Sequence, residues 1–205
     1  MSRHRSFPPA VVLAAAVLLG VGSAHAAPPS SALTGDAGDL TWTVSEKDGR
    51  LHITGRAPTW TVVHEARLDL TPIRTERTDA DGTVVVTYRP DGATVVRRGK
   101  TIERKDAGLW DADTLDIRLG ALTAAGTPVQ AFDAVDPASG KVYGFATQDL
   151  GEENCGNRRC RHVKMTLSGM LKPLGPTWHY WFGGDGTLLR FDGPAGEFAA
   201  KEESR

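Results

Sequence analysis

The chain has 205 residues, with 24 Lys and Arg against 25 Asp and Glu, and a formal net charge of −1. That balance excludes the basic field of a nucleic-acid binder; only 158–164 (RRCRHVK) is locally basic, and it stands near Asp149, Glu152 and Glu153. The length suits a single domain with a core large enough to fold unaided.

The chain opens with Arg3 and Arg5, a short apolar run from Val11 to Val21, and Ala24-His25-Ala26. This order is that of a secretory signal with a small-x-small cleavage site, and the run is too short to span a bilayer. Residues 1–26 are therefore expected to be removed near Ala26, leaving a periplasmic or secreted chain. His4 separates the two arginines, against a twin-arginine signal, and no cysteine stands at the cut to carry a lipid anchor. Without Arg3 and Arg5 the formal net charge falls from −1 to −3. No later apolar run is long enough for an integral membrane segment.

Residues 27–37 (APPSSALTGDA) read as a disordered leader. A single β-rich domain is expected over 38–196, with a flexible tail over 197–205. From Leu40 the chain alternates apolar and polar side chains through Val44, turns at Lys47-Asp48-Gly49 and resumes over Leu51–Thr54. That pattern is a hairpin. Further β-rich runs are Trp60–Leu70, stopped by Pro72, then Thr83–Tyr88 after Asp81-Gly82 and Ala93–Val96 after Pro90-Asp91-Gly92. Gly99-Lys100 turns the chain into Thr101–Glu103. The periodicity is two until Asp111–Ala125, where Leu115, Leu119 and Leu122 recur at helical spacing. Asp111 or Asp113 is placed to cap this helix, and Gly126 with Pro128 ends it. Strands return over Val129–Val135, Val142–Gln148, His162–Leu171, Trp178–Phe182 and Leu188–Phe191. About eleven strands joined by tight turns predict an antiparallel meander too broad to stay flat. The expected fold is mainly β: a curved antiparallel sheet forming an incomplete barrel, capped by one helix.

The export signal, the meander, the lone helix and the closing hairpin Trp178-His-Tyr-Trp-Phe-Gly-Gly-Asp-Gly-Thr-Leu-Leu-Arg-Phe191 resemble the LolA- and LolB-like lipoprotein carriers and related periplasmic domains. The resemblance implies a half-barrel whose apolar concavity receives acyl chains. It carries no ligand-binding residue over to this chain.

Cys155 and Cys160 are expected to pair as a disulfide in an oxidising compartment. The competing metal reading, Cys155-x4-Cys160-x-His162, has the spacing of no common zinc site. No cofactor and no metal ligand is expected. Ser168 lies outside any Gly-x-Ser-x-Gly elbow, and His52, His64, His162 and His179 have no partner fixed by spacing. Asp111, Asp113 and Asp116 are explained by helix capping and the helix dipole, and Glu152-Glu153 by a solvated loop. Gly183-Gly184-Asp185-Gly186 precedes a strand and so lacks the helix N-terminus of a phosphate cradle. The aromatic residues remain, and Trp42, Trp60, Tyr88, Phe132, Phe145 and Trp181 are the candidate ligand-binding set. The leading expectation is a non-catalytic exported protein holding a lipid or other apolar ligand inside the half-barrel. The alternatives are an envelope protein with a filled core acting through a protein partner, and a periplasmic hydrolase or metalloprotein using His162 and His179.

Overall fold

The computed structural model describes residues 28–127, 131–169, 175–194 and 196–200. The expected signal segment, Val129 and the end of the His162–Leu171 run lie outside them. The first arm of the fold comprises β1 (Ser31–Gly35), β2 (Gly38–Lys47), β3 (Arg50–Ala57), β4 (Trp60–Arg67), β5 (Pro72–Asp79), β6 (Gly82–Arg89), β7 (Gly92–Arg97) and β8 (Lys100–Arg104). A short β9 (Trp110–Asp111), a 3-10 turn (Ala112–Thr114) and the helix α1 (Leu115–Ala124) follow. The second arm is β10 (Ala131–Asp136), β11 (Lys141–Cys155), β12 (Arg158–Leu167), β13 (Thr177–Phe182), β14 (Leu188–Gly193) and β15 (Gly196–Ala200).

All fifteen strands join one sheet in the order β8-β7-β6-β5-β4-β3-β2-β1-β15-β14-β13-β12-β11-β10-β9. Sequential pairs are antiparallel hairpins, as the turn residues predict. At the β2–β3 turn, Asp48 and Gly49 both take positive φ (54° and 71°), the backbone that lets two strands continue their natural twist across a two-residue turn. Arg98 and Gly99 repeat it. Among the described residues only β9 pairs parallel, through Trp110 with Ala134 and Asp111 with Val135.

The two arms become one sheet through β1 and β15, where Leu33, Thr34 and Gly35 pair with Ala200, Ala199 and Phe198. This corrects both expected boundaries. Residues 31–35 are a strand and not a leader, and Glu197–Ala200 belong to β15 and not to a flexible tail. The cause is non-local. Leu33 and Phe198 bury almost completely in the main core, and each strand finds a ladder partner that is remote in sequence.

The sheet is not closed into a barrel, since β8 and β9 remain edges. It curls until its far ends meet by packing. Val135 of β10 sits among Val84, Val86 and Val95, and the Arg104 guanidinium donates to the Gly140 carbonyl at 2.6 and 2.8 Å. Inside this curl lies α1. Its Leu115 and Leu119 pack on Phe145, Met165, Tyr180 and Phe182, while Ile117 packs on Trp42, Leu51 and Ile53. A helix surrounded by sheet buries more than one face, which is why Asp116 and Gly120 are buried as well. Gly120 is required by this fit: a Cβ there would lie 2.3 Å from the Gly186 carbonyl oxygen.

Candidate functional site

A cleft of about 310 Å³ opens beside the first turn of α1. One wall comes from β2, whose alternation turns Leu40 and Trp42 inward, and from the turn Ala57-Pro58-Thr59 leading to Trp60. The Trp42 and Trp60 rings lie 5.9 Å apart, tilted by 45°. Trp42 fits because Gly55 is its neighbour on β3; a Cβ there would come within 2.2 Å of the indole. The opposite wall is Trp178 and Tyr180 of β13, Phe191 of β14 and Phe198 of β15. Ala112, Asp113, Leu115 and Asp116 form the floor.

The floor carries the charged side chains that line the cleft among the described residues. Asp113 takes the Arg77 guanidinium at 2.6 Å on Oδ1, and its Oδ2 is buried without a partner. Burial first, then the neighbouring Asp111 carboxylate, push Asp113 upward to about 8, with Arg77 opposing. Asp116, 9% exposed, accepts the Ile117 N–H at 2.9 Å. Desolvation lifts it to about 7, against the pull of that N–H and of the Trp42 indole. The Trp42 indole N–H reaches no acceptor within hydrogen-bond geometry. Burial first, then Asp116, also hold the Tyr180 phenol above its ordinary range.

Behind the floor stands a second polar group. Asp111 Oδ2 accepts from the hydroxyls of Thr75 and Tyr88, both at 2.5 Å, and its Oδ1 accepts the Asp113 N–H, capping the 3-10 turn. His64 Nδ1 lies 2.7 Å from Thr75 Oγ. Burial lowers His64, with Asp111 opposing, so its neutral form prevails. Threonine, histidine and aspartate are the ingredients of nucleophilic catalysis, yet the order is wrong for it. The hydroxyl sits between the two other groups, and His64 is 3.9 Å from Asp111. Exposures of 0% for Thr75, 2% for His64 and 3% for Asp111 leave a substrate no approach. The group acts as a clasp, tying β9 to the middle of β4 and β5 and to the end of β6.

Of the six aromatic candidates, Trp42 and Trp60 come together on the cleft wall. The other four do not reach it. Tyr88 belongs to the clasp. Phe132 stacks between Trp110 (4.1 Å) and Phe145 (5.5 Å), and Phe145 meets Trp178 edge-on, so this row fills the core. Trp181 alternates with the inward Tyr180 and Phe182 and therefore faces outward, where it packs on Leu189 and Cys160 under the Arg190 guanidinium. Leu40, Leu115, Trp178, Phe191 and Phe198 complete the cleft; their position depends on pairing between the arms, which no local spacing reveals. Asp113 is legible in the sequence only as a capping residue, and Asp116 only as a complement to the helix dipole.

Cys155 and Cys160 are joined as a disulfide at the tip of the β11–β12 hairpin. Nearby, His162 Nε2 lies 2.8 Å from His179 Nδ1, and Glu153 takes the Trp181 indole N–H. The two histidines thus partner each other on the outer face. Among the described residues no group of three or more His, Cys, Asp or Glu has an arrangement able to hold a metal ion. No helix among them is long and apolar enough to cross a membrane.

With this geometry the chain can be set beside known proteins. The fold is shared. A β-barrel-like protein of a domain of unknown function, DUF1849, from Brucella abortus superposes with a TM-score of 0.56 over 84% of this chain and 93% of its own, at 9% identity. At that identity the likeness concerns the fold alone, an uncharacterised β-barrel-like architecture. No family model and no curated protein matches the sequence. The relationship to LolA-like carriers expected from the layout is not confirmed by these comparisons.

Proposed function

We propose that the protein is exported and binds an apolar or amphipathic ligand in the cleft between Trp42, Trp60 and Phe191. The observation that carries this reading is the cleft itself. Beside the first turn of α1, aromatic and aliphatic side chains line a space of about 310 Å³. That is the lower end of ligand-pocket sizes, about 300 to 1,000 Å³. At about 30 Å³ per water-sized group, the 310 Å³ suits a chain of about eight to ten carbons. Burial of that chain at about 0.8 kcal/mol per methylene is worth about 7 kcal/mol before the cost of association. Affinity for a bare hydrocarbon chain should therefore be no tighter than about 10 μM.

Three tryptophans line the cleft, so binding is read by their fluorescence. Titration with short n-alkyl compounds below their micelle concentration should shift the emission and raise the melting temperature, both saturating. Absence of both signals with every chain tested defeats the proposal and favours the filled-core alternative. Export is checked separately, by finding Ala27 at the N-terminus of the chain recovered from outside the cytoplasm.

A further inference from the structure

The lining of the cleft also specifies the polar end of its occupant. Among the described residues, six aromatic rings face the space, from Trp42, Trp60, Trp178, Tyr180, Phe191 and Phe198, and no Lys, Arg or His lines it. The charged groups there, among the described residues, are Asp113 and Asp116. Asp113 shares Arg77, whose guanidinium also lies 5.2 Å from the Trp60 ring, but leaves Oδ2 buried and unpartnered. Asp116 is more than nine-tenths buried, and the groups that favour its charge, the N–H groups of Ile117 and of Asp116 itself and the Trp42 indole, are all neutral. Asp111, behind them, is already satisfied by two hydroxyls and an N–H. One positive charge therefore serves the floor, and one carboxyl is left without a counter-charge. A carboxylate or phosphate brought here would meet acidic groups and the negative faces of the rings. A cation would meet attraction from both, because aromatic faces draw cations and do so most strongly when water is excluded.

We infer that the ligand of this cleft is a cationic amphiphile, its amine or quaternary ammonium seated over Asp116 and Asp113 and its hydrocarbon between the aromatic walls. This rests on the cleft being the binding site. The raised proton affinity of Asp116 agrees with it, as that of a carboxyl lacking its counter-ion.

The test compares decyltrimethylammonium, decanol and decanoate at about pH 8, each titrated into the wild-type chain and read by tryptophan fluorescence and calorimetry. The expected order is ammonium over alcohol over carboxylate, with the ammonium at least about tenfold tighter than the alcohol. In Asp116→Asn, that margin should shrink by about tenfold while decanol affinity is kept. Equal binding of all three, or preference for decanoate, overturns the cationic assignment and leaves the cleft as a site for apolar chains. Binding of none of the three removes the cleft as a site and this inference with it. The wild-type comparison decides the matter even if the variant does not fold.

Discussion

The Asp116 carboxyl gives the account a quantitative consequence for stability. In the fold its proton affinity rises from the ordinary 3.8 to about 7, desolvation being the main cause. The folded chain then holds this proton more tightly than the unfolded chain. Stability contributed by the protonated form is complete in acid and declines once the unfolded carboxyl ionises, above about pH 4. The decline continues until folded Asp116 itself ionises near 7, then levels off. A shift of about three units corresponds to about 4 kcal/mol in full, of which about 2 to 3 kcal/mol falls between pH 5 and 8. Asn has the same shape and does not titrate. Urea unfolding of wild type and Asp116→Asn across that range should show the variant gaining on wild type by about 2 to 3 kcal/mol as the pH rises. Carboxylates whose pKa values are lowered, such as Asp149 beside Arg161 and Asp185 at its turn, act in the opposite direction, but equally in both proteins. Stability curves that run parallel from pH 5 to 8 would refute the claim that Asp116 is buried without a counter-charge.

The other predictions concern the helix, the clasp and the cleft wall. Gly120→Ala should destabilise the fold by about 1 to 3 kcal/mol despite alanine's better helix propensity, because the new Cβ meets the backbone carbonyl of Gly186; a gain in the thermal midpoint would contradict the close approach of helix and sheet. Tyr88→Phe removes one donor from the buried Asp111 and should cost about 1 to 3 kcal/mol in urea midpoint analysis. Gly55→Ala forces the Trp42 indole toward the cleft, so decyl-chain binding should weaken while circular dichroism stays β-type. Cys155→Ser with Cys160→Ser should loosen the hairpin tip and cost about 2 kcal/mol, the chain-entropy value for so short a loop; hydrogen exchange over 152–160 is the direct readout.

Local chemistry made much of the fold legible. The Asp48-Gly49 turn, the alternation of Leu40, Trp42 and Val44, and the leucine spacing of α1 all reappear where they were expected. What escaped were elements stabilised by distant partners. Pro72–Asp79 (PIRTERTD) has little apolar content and falls in none of the expected β-rich runs, yet it is β5, held between β4 and β6 with Thr75 wholly buried in the clasp. The acidic stretch of β11 is a strand because β12 pairs along it as far as Cys155. β1 and β15 exist only through each other and their hairpin neighbours. The same holds for the site. Trp42 and Trp60 stand on β2 and β4, the two neighbours of β3 within one run of hairpins, so local pairing brings them together, whereas Trp178, Phe191 and Phe198 join them only because β1 pairs with β15. Asp116 reads in the sequence as a dipole-compensating residue at the helix start, and burial of that start within the sheet changes its chemistry.

The most direct test is a crystal structure of the protein soaked with a bromine-tagged decyl chain carrying a trimethylammonium head. Anomalous signal from the bromine should fall between Trp42, Trp60 and Phe191, with the head within about 4 to 6 Å of Asp116. An empty cleft, or bromine signal only elsewhere on the molecule, would contradict the assignment of this space as the binding site.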